Sequence, residues 1–127
     1  MTQQDQTRGK AAVVGAGRMG HGIALELARG GFHVAVYDSA PGRAAAAIEE
    51  ARRVAHDFVA AGVLASDGID AVIDRLDPVE DLEAAGADAE FVAEAVAEDL
   101  ALKREVFGAL DRICPPTAVL ASTCRRL

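Results

Sequence analysis

The run Ala11-Ala12-Val13-Val14-Gly15-Ala16-Gly17-Arg18-Met19-Gly20 decides the fold of this chain. Its four leading apolar residues predict a short strand that is buried on both faces and stops at Gly15. Apolar residues then recur at helical spacing over residues 23–28, until Gly30-Gly31 ends the pattern. The stretch therefore predicts a strand, a tight glycine turn and a helix.

The glycines of this run have the spacing G-x-G-x-x-G, which suits a phosphate-binding turn. Gly15 permits the tight turn, Gly17 lets the backbone approach a pyrophosphate, and Gly20 lets the helix pack close to the strand. The N-terminus of the helix then offers free amide groups and a partial positive charge to the phosphates. The predicted cofactor-binding turn comprises Gly15, Ala16, Gly17, Arg18, Met19 and Gly20. A tight strand-helix connection without a ligand is the alternative.

Asp38 follows a second β-rich run, His33 to Tyr37, and lies about 20 residues beyond the glycine turn. A carboxylate here can accept hydrogen bonds from the adenosine ribose hydroxyls. It would repel a 2′-phosphate by about 4 kcal/mol at a distance of about 4 Å and an effective dielectric of about 20, so NAD is predicted rather than NADP. A helix-capping or solvated carboxylate is the alternative for Asp38. Arg43 is near enough in sequence to complicate the preference for NAD over NADP, but we expect it on the outer face of its helix.

The remainder of the chain alternates helices and strands. Two helices follow the second strand, one from Pro41 to near Gly62 and one capped by Ser66. Later elements are a short strand at Leu76-Asp77, a strand from Phe91 to Val96, a helix opened by Asp99 and ended by Pro115-Pro116, and a strand from Ala118 to Ala121. The prediction is an α/β fold, a doubly wound parallel sheet with a helical hairpin inserted after the second strand.

Composition limits the possible functions. The 127 residues suit one domain, with a polar tail over residues 1–9 and the folded domain over 10–127. A net charge of -7 argues against nucleic acid or an anionic membrane as a partner. The sequence shows neither a signal peptide nor an apolar run long enough for a membrane span, so we expect the cytoplasm. Cys114 and Cys124 lack metal-ligand spacing, which predicts reduced thiols and no metal site.

Three motifs together resemble a known family. They are Val14-Gly15-Ala16-Gly17-Arg18-Met19-Gly20-His21-Gly22-Ile23-Ala24, then Tyr37-Asp38, then Glu94-Ala95-Val96-Ala97-Glu98-Asp99-Leu100 leading to Leu102-Lys103 and Val106-Phe107. Over about residues 10 to 122 the chain resembles the NAD-binding domain of the L-3-hydroxyacyl-CoA dehydrogenases and their relatives acting on other 3-hydroxy substrates. The resemblance implies a Rossmann-type fold, NAD as cofactor and a role in fatty acid or 3-hydroxy acid metabolism.

The resemblance also assigns residues near the nicotinamide. It implies that Glu98 and Lys103 line that end of the cofactor site, and Ala95 is also predicted to bind the cofactor. Without the resemblance, Glu98 would be an acid favoured at a helix start and Lys103 an exposed helix lysine.

Two departures from the family pattern concern catalysis. The family continues its fifth strand as A-S-N-T-S-S-L, whereas Ala121-Ser122 is followed here by Thr123-Cys124-Arg125-Arg126-Leu127, so Arg125 occupies the position of a substrate-contacting serine. The family's catalytic histidine, its orienting glutamate and its helical dimerisation domain lie further along the family's chain. We therefore expect no catalytic residue here. A truncated or frameshifted reading frame would explain the tail, since serine codons TCG-TCG read one base late can give Arg-Arg.

The family's contacts to CoA are also altered. An approximate alignment places Ala51 and Phe58 where the family has a serine and a lysine. Arg52 or Arg53 could replace the lysine's charge, but a solvated helix face with Arg53 paired to Glu49 is the favoured interpretation.

Three functional hypotheses follow. The first is the NAD-binding part of an oxidoreductase that transfers hydride between NAD and C3 of a 3-hydroxyacyl-CoA, active only if another chain supplies the missing half. The second is a non-catalytic NAD(H)-binding module or truncated pseudoenzyme. The third is a nonfunctional fragment with an exposed fifth-strand edge.

Overall fold

The fold is built on one parallel sheet. A computed structural model describes residues 9–123, so Cys124, Arg125 and the predicted tail before Gly9 lie outside the described residues. The strands are β1 (Lys10–Val14), β2 (His33–Tyr37), β3 (Leu76–Pro78), β4 (Phe91–Glu94) and β5 (Val119–Ser122), in the spatial order β3-β2-β1-β4-β5. All four pairings are parallel. The predicted doubly wound α/β sheet is confirmed.

Helices cover both faces of this sheet. They are α1 (Arg18–Arg29), α2 (Arg43–Ala60), α3 (Ile69–Ile73), α4 (Leu82–Gly86) and α5 (Leu100–Ile113). The predicted hairpin after β2 is formed by α2 and α3, joined through a short 3-10 turn at Ser66–Gly68. Among helices of the described residues, none is long and apolar enough to cross a membrane.

The core has two layers, one on each side of the sheet. Val13 packs with α1, α2 and α3 on one side, whereas Ala12 and Val14 pack with α4 and α5 on the other. Residues 11–14 are all buried because β1 is the central strand. This burial explains why residues 11–14 of β1 are continuously apolar and do not alternate with polar residues.

Several predicted boundaries differ from the observed ones. Ser66 lies within the 3-10 turn and does not cap α3, which begins three residues later without a side-chain cap. β4 ends at Glu94 and not at Val96, and β5 lies one residue later than predicted. By contrast, Asp99 caps α5 as expected, with its Oδ1 accepting from the Leu102 amide at 3.1 Å.

Helix α4 was not predicted from the sequence. It has only five residues, rich in alanine and glycine, so no apolar period marks it. Asp81 caps it by accepting a hydrogen bond from the Ala84 amide at 2.7 Å. Although short, α4 packs against β1 and β2 and covers part of the second face of the sheet.

Candidate cofactor site

A cleft of about 680 Å³ opens at the carboxyl ends of β1, β2 and β4. It is lined by the glycine turn, residues 37–40 at the end of β2, residues 95–98 after β4, one face of α5 and Thr123 after β5. The chain runs from β1 to β2 and β3 on one side and then crosses to β4 on the other, so the cleft lies where the strand order reverses. Open parallel sheets bind ligands at such a point.

The three motif glycines meet different surroundings. Gly15 has φ +104°, and a Cβ there would lie 2.6 Å from the Ala95 carbonyl carbon. A Cβ on Gly20 would collide with the Gly15 carbonyl oxygen. A Cβ on Gly17 would meet nothing within 4 Å. Gly15 and Gly20 are therefore needed for the turn and its packing, whereas the absence of a side chain at Gly17 leaves space in the cleft.

This space lies at the start of α1. Gly17 is the N-cap residue, and no described side chain caps the helix. The first-turn amides of an α-helix have no partners within the helix, and they carry the positive end of its dipole. An anionic group above Gly17 would be bound by these amides, so the residues present fit a pyrophosphate.

Asp38 connects the two turns that form the adjacent wall. Its Oδ2 accepts from the Ala16 amide and its Oδ1 from the Ala40 amide, each at 2.8 Å. A carboxylate oxygen has two lone pairs, so both oxygens can still accept from ribose hydroxyls. The carboxylate thus holds the glycine turn in place and remains available to a ligand.

The predicted site residues fall into two groups. Those lining the cleft are Gly15, Gly17, Arg18, Met19, Asp38, Ala95 and Glu98. Ala16, Gly20 and Lys103 do not line it: Ala16 supports Asp38, Gly20 packs beneath the turn, and the side chain of Lys103 is only 10% exposed. The alternative of an exposed helix lysine at position 103 is therefore wrong.

Lys103 belongs to a buried network that the sequence analysis missed. Its ammonium group donates to Oε1 and Oε2 of Glu94 at 3.1 and 2.8 Å. Glu94 is fully buried and also accepts from the Ser122 hydroxyl and the Val96 amide, both at 2.6 Å. Burial alone raises the pKa of a carboxyl, but the bonds from Lys103, Ser122 and Val96 outweigh it and hold the pKa of Glu94 below its ordinary value.

A signal for this network was present in the sequence. Glu94 is an acid that directly follows the apolar residues of a buried parallel strand. Such a position favours a carboxylate only when a cation pairs with it. The lysine that does so lies nine residues further along, on α5.

Two arginines are placed differently from the predictions. Arg43, expected on the outer face of its helix, is the first residue of α2 and lines the cleft beside Asp38. Its place at the helix start turns it toward the strand ends. Arg53 forms its ion pair with Glu50, three residues earlier on the helix, and not with the predicted Glu49.

The comparisons with known proteins agree with this geometry. Residues 10–127 match the family model "3-hydroxyacyl-CoA dehydrogenase, NAD binding domain". The chain is 40% identical over 115 residues to a probable 3-hydroxybutyryl-CoA dehydrogenase of Bacillus subtilis, covering 91% of this chain and 40% of that protein. It is 38% identical over 125 residues to the L-carnitine dehydrogenase of Streptomyces coelicolor, covering 97% of this chain and 37% of the relative.

Solved structures show the same similarity. FadB2 of Mycobacterium tuberculosis superposes with a TM-score of 0.85 at 37% identity, over 92% of this chain and 41% of that one. The 3-hydroxybutyryl-CoA dehydrogenase of Escherichia coli also gives 0.85, at 33% identity, over 93% of this chain and 25% of that one. The chain thus spans less than half the length of these relatives. It belongs to the 3-hydroxyacyl-CoA dehydrogenase family and corresponds to that family's NAD-binding domain.

Proposed function

We propose that the chain is the cofactor-binding part of an NAD-dependent dehydrogenase acting on a 3-hydroxyacyl-CoA. Gly17 is the observation that supports this proposal best. It is a glycine that the fold itself does not require, set at the uncapped start of α1 and facing the cleft. Space for a phosphate explains why this position has no side chain.

The cofactor would lie across the cleft from β2 to β4. The pyrophosphate would bind the first-turn amides of α1, and Asp38 would accept from the adenosine ribose hydroxyls. The nicotinamide half would then lie toward residues 95–98, where Ala95 and Glu98 line the wall. Arg18 and Arg43 line the same cleft as Asp38, Glu98 and Glu105, so a chain of net charge -7 would hold the pyrophosphate mainly through the first-turn amides of α1.

The chemistry is hydride transfer. When bound, NAD(H) exchanges a hydride with C3 of the substrate, and the protein orients the cofactor for that exchange. Of the residues described, no histidine lines the cleft, so we assign the base that accepts the hydroxyl proton to residues outside the described part. We propose that a further domain of the family's kind provides this base and the contacts to the acyl-CoA. The cytoplasm remains our prediction for the location.

A non-catalytic NAD(H)-binding module is the second candidate. It is favoured by the hairpin, where the family's CoA-contacting serine and lysine are replaced. Ala51 is fully buried and Phe58 is half-buried against the core, so neither offers CoA the hydroxyl or ammonium group that the family has there. Arg52 and Arg53 are engaged with Asp70 and Glu50.

Titration of the purified chain with NADH and NADPH tests the proposal. Nicotinamide fluorescence reports binding, and a thermal melt on the same samples reports stability. We expect a preference for NADH and, at about 100 times the Kd, a stabilisation of about 2.7 kcal/mol, or roughly 10 °C in Tm. A folded chain that binds neither nucleotide would refute the proposed function.

Asp38→Ala tests the assignment of the ribose contact, with the exposed Asp57→Ala on α2 as the matched control. We expect the first variant to weaken NADH binding by at least about tenfold, because a charged hydrogen-bond acceptor is lost, and to reduce the preference over NADPH. The control should bind as the parent does. Equal affinities of Asp38→Ala and the parent would show that the site is assigned wrongly.

A further inference from the structure

The buried carboxylate of Glu94 joins three parts of the fold. It lies at the end of β4, receives the Lys103 ammonium group from α5 and receives the Ser122 hydroxyl from the end of β5. Its Oε2 also accepts from the Val96 amide, within the segment that turns from β4 toward α5. No buried side-chain nitrogen or oxygen of the described residues lacks a hydrogen-bond partner. The network is therefore complete.

This network lies directly behind the wall of the cleft. Residues 95–98 form that wall, and Val96 is tied to Glu94 from within. The Lys103 ammonium group is also 3.9 Å from Oε1 of Glu98, whose side chain is half exposed. A line of alternating charges thus runs from Glu94 through Lys103 to Glu98 at the surface of the cleft.

Stability alone is a weak reason for such an arrangement. Burying two charges costs so much that well-packed apolar residues often stabilise a protein as well or better. The four directional hydrogen bonds of this buried pair instead fix one geometry for the segments that the pair joins. Those segments here are residues 95–98 and the start of α5.

The network also lies at one particular end of the cleft. Asp38, at the end of β2, marks the adenosine side under the proposed function. Glu94 and Ser122, at the ends of β4 and β5, lie on the opposite side of β1. An extended dinucleotide that places adenosine at Asp38 therefore places its nicotinamide over the segment that Glu94 holds.

We propose that Glu94 is a positioning residue for the nicotinamide half of the cofactor, acting through Lys103 and the Val96 amide on residues 95–98. This inference rests on the proposed function. It assigns Lys103 to a supporting role within the protein. The side chain that faces the ligand at this point is Glu98.

The test compares NADH with ADP-ribose, which is the same ligand without the nicotinamide ring. Calorimetry gives both affinities for the parent, Glu94→Gln, Lys103→Met and the double variant, with Glu90→Gln, an exposed glutamate just before β4, as control. If Glu94 only stabilises the fold, the substitutions should lower the affinities for NADH and ADP-ribose together. If Glu94 positions the nicotinamide half, they should lower the affinity for NADH alone.

We expect Glu94→Gln to weaken NADH about tenfold, while ADP-ribose affinity stays within about twofold of the parent. Adding Glu94→Gln to Lys103→Met should weaken NADH binding by less than the same change does in the parent, because part of the effect of the carboxylate passes through the lysine. Additive losses, or equal losses of the two ligands, would overturn the proposal.

The single variants leave a buried charge unpaired and can fail to fold, whereas the double variant removes both charges and keeps similar volumes. If only the double variant folds, a selective fall in its affinity for NADH supports the proposal, and an unchanged NADH affinity overturns it. A parent that binds neither ligand refutes the proposed function instead. Hydrogen exchange of the Val96 amide then tests the role of Glu94 without a ligand. Faster exchange in the double variant than in Glu90→Gln supports the role of Glu94 in holding residues 95–98, and equal exchange overturns it.

Discussion

The variant Gly20→Ala tests how the glycine turn is built. The added Cβ would collide with the Gly15 carbonyl oxygen and lie 3.6 Å from Cγ1 of Val13. The obstructing oxygen belongs to the backbone of the same turn, so no side-chain rotation can relieve the clash. Helix α1 would have to move away from β1 by about 1 Å, and overpacking of this kind costs about 1–3 kcal/mol.

For a chain of this length, that cost corresponds to a fall in Tm of about 4–12 °C. We expect Gly20→Ala to show this fall and to lose NADH binding with it, because the displaced turn carries the first-turn amides.

The matched variant is Gly17→Ser. Here φ is -83°, a value that any residue adopts, and the new Cβ meets no atom within 4 Å. Serine caps a helix as well as glycine or better by a few tenths of a kcal/mol. We expect the Tm to stay within about 2 °C of the parent value. NADH affinity should nevertheless fall by at least about tenfold, because the side chain occupies the phosphate space and competes for the amides.

Thermal melts without ligand and fluorescence titrations with NADH measure the two effects separately. Loss of stability only at Gly20, and loss of binding at both positions, is the expected pattern. A Tm of Gly20→Ala equal to that of the parent would refute the predicted clash. The assignment of the phosphate space to Gly17 would be refuted if Gly17→Ser bound NADH as tightly as the parent.

Three further predictions concern caps, pH and turnover. Asp99→Ala should cost about 1 kcal/mol in the free energy of unfolding, measured by urea denaturation, because the Leu102 amide loses its cap; no change would contradict the capping role. The interactions of Glu94 hold its pKa in the folded state below the ordinary value of 4.5, so its contribution to stability is present above pH 4.5 and is lost as the pH falls through the folded-state pKa. Denaturation at several pH values should therefore show that acid lowers the free energy of unfolding less in Glu94→Gln/Lys103→Met than in the parent, and an equal fall in both proteins would contradict this. The chain alone should not oxidise NADH with acetoacetyl-CoA, and more than one equivalent of NADH consumed per chain would overturn this.

Local sequence was sufficient for the nucleotide-binding unit. The positions of the glycine turn, of the strand before it and of the acid after the next strand follow from neighbouring residues, whereas the role of each residue toward a nucleotide stays a prediction. Asp99 was likewise identified as a cap, since a cap acts on amides only a few residues away. The alternation of strands and helices then predicted the parallel sheet, because a buried strand needs both of its faces covered.

Tertiary structure decided where the charged side chains go. Lys103 has the spacing of a solvated helix residue, yet it pairs with a buried carboxylate from the preceding strand. Arg43 reaches the cleft, and both oxygens of Asp38 are engaged by amides of two separate turns. These contacts join residues that are distant in sequence or depend on the direction in which an element leaves the sheet. Periodicity reports which face of an element is apolar, but the partner of a buried charge is set only when the packed elements bring the two groups within hydrogen-bond distance.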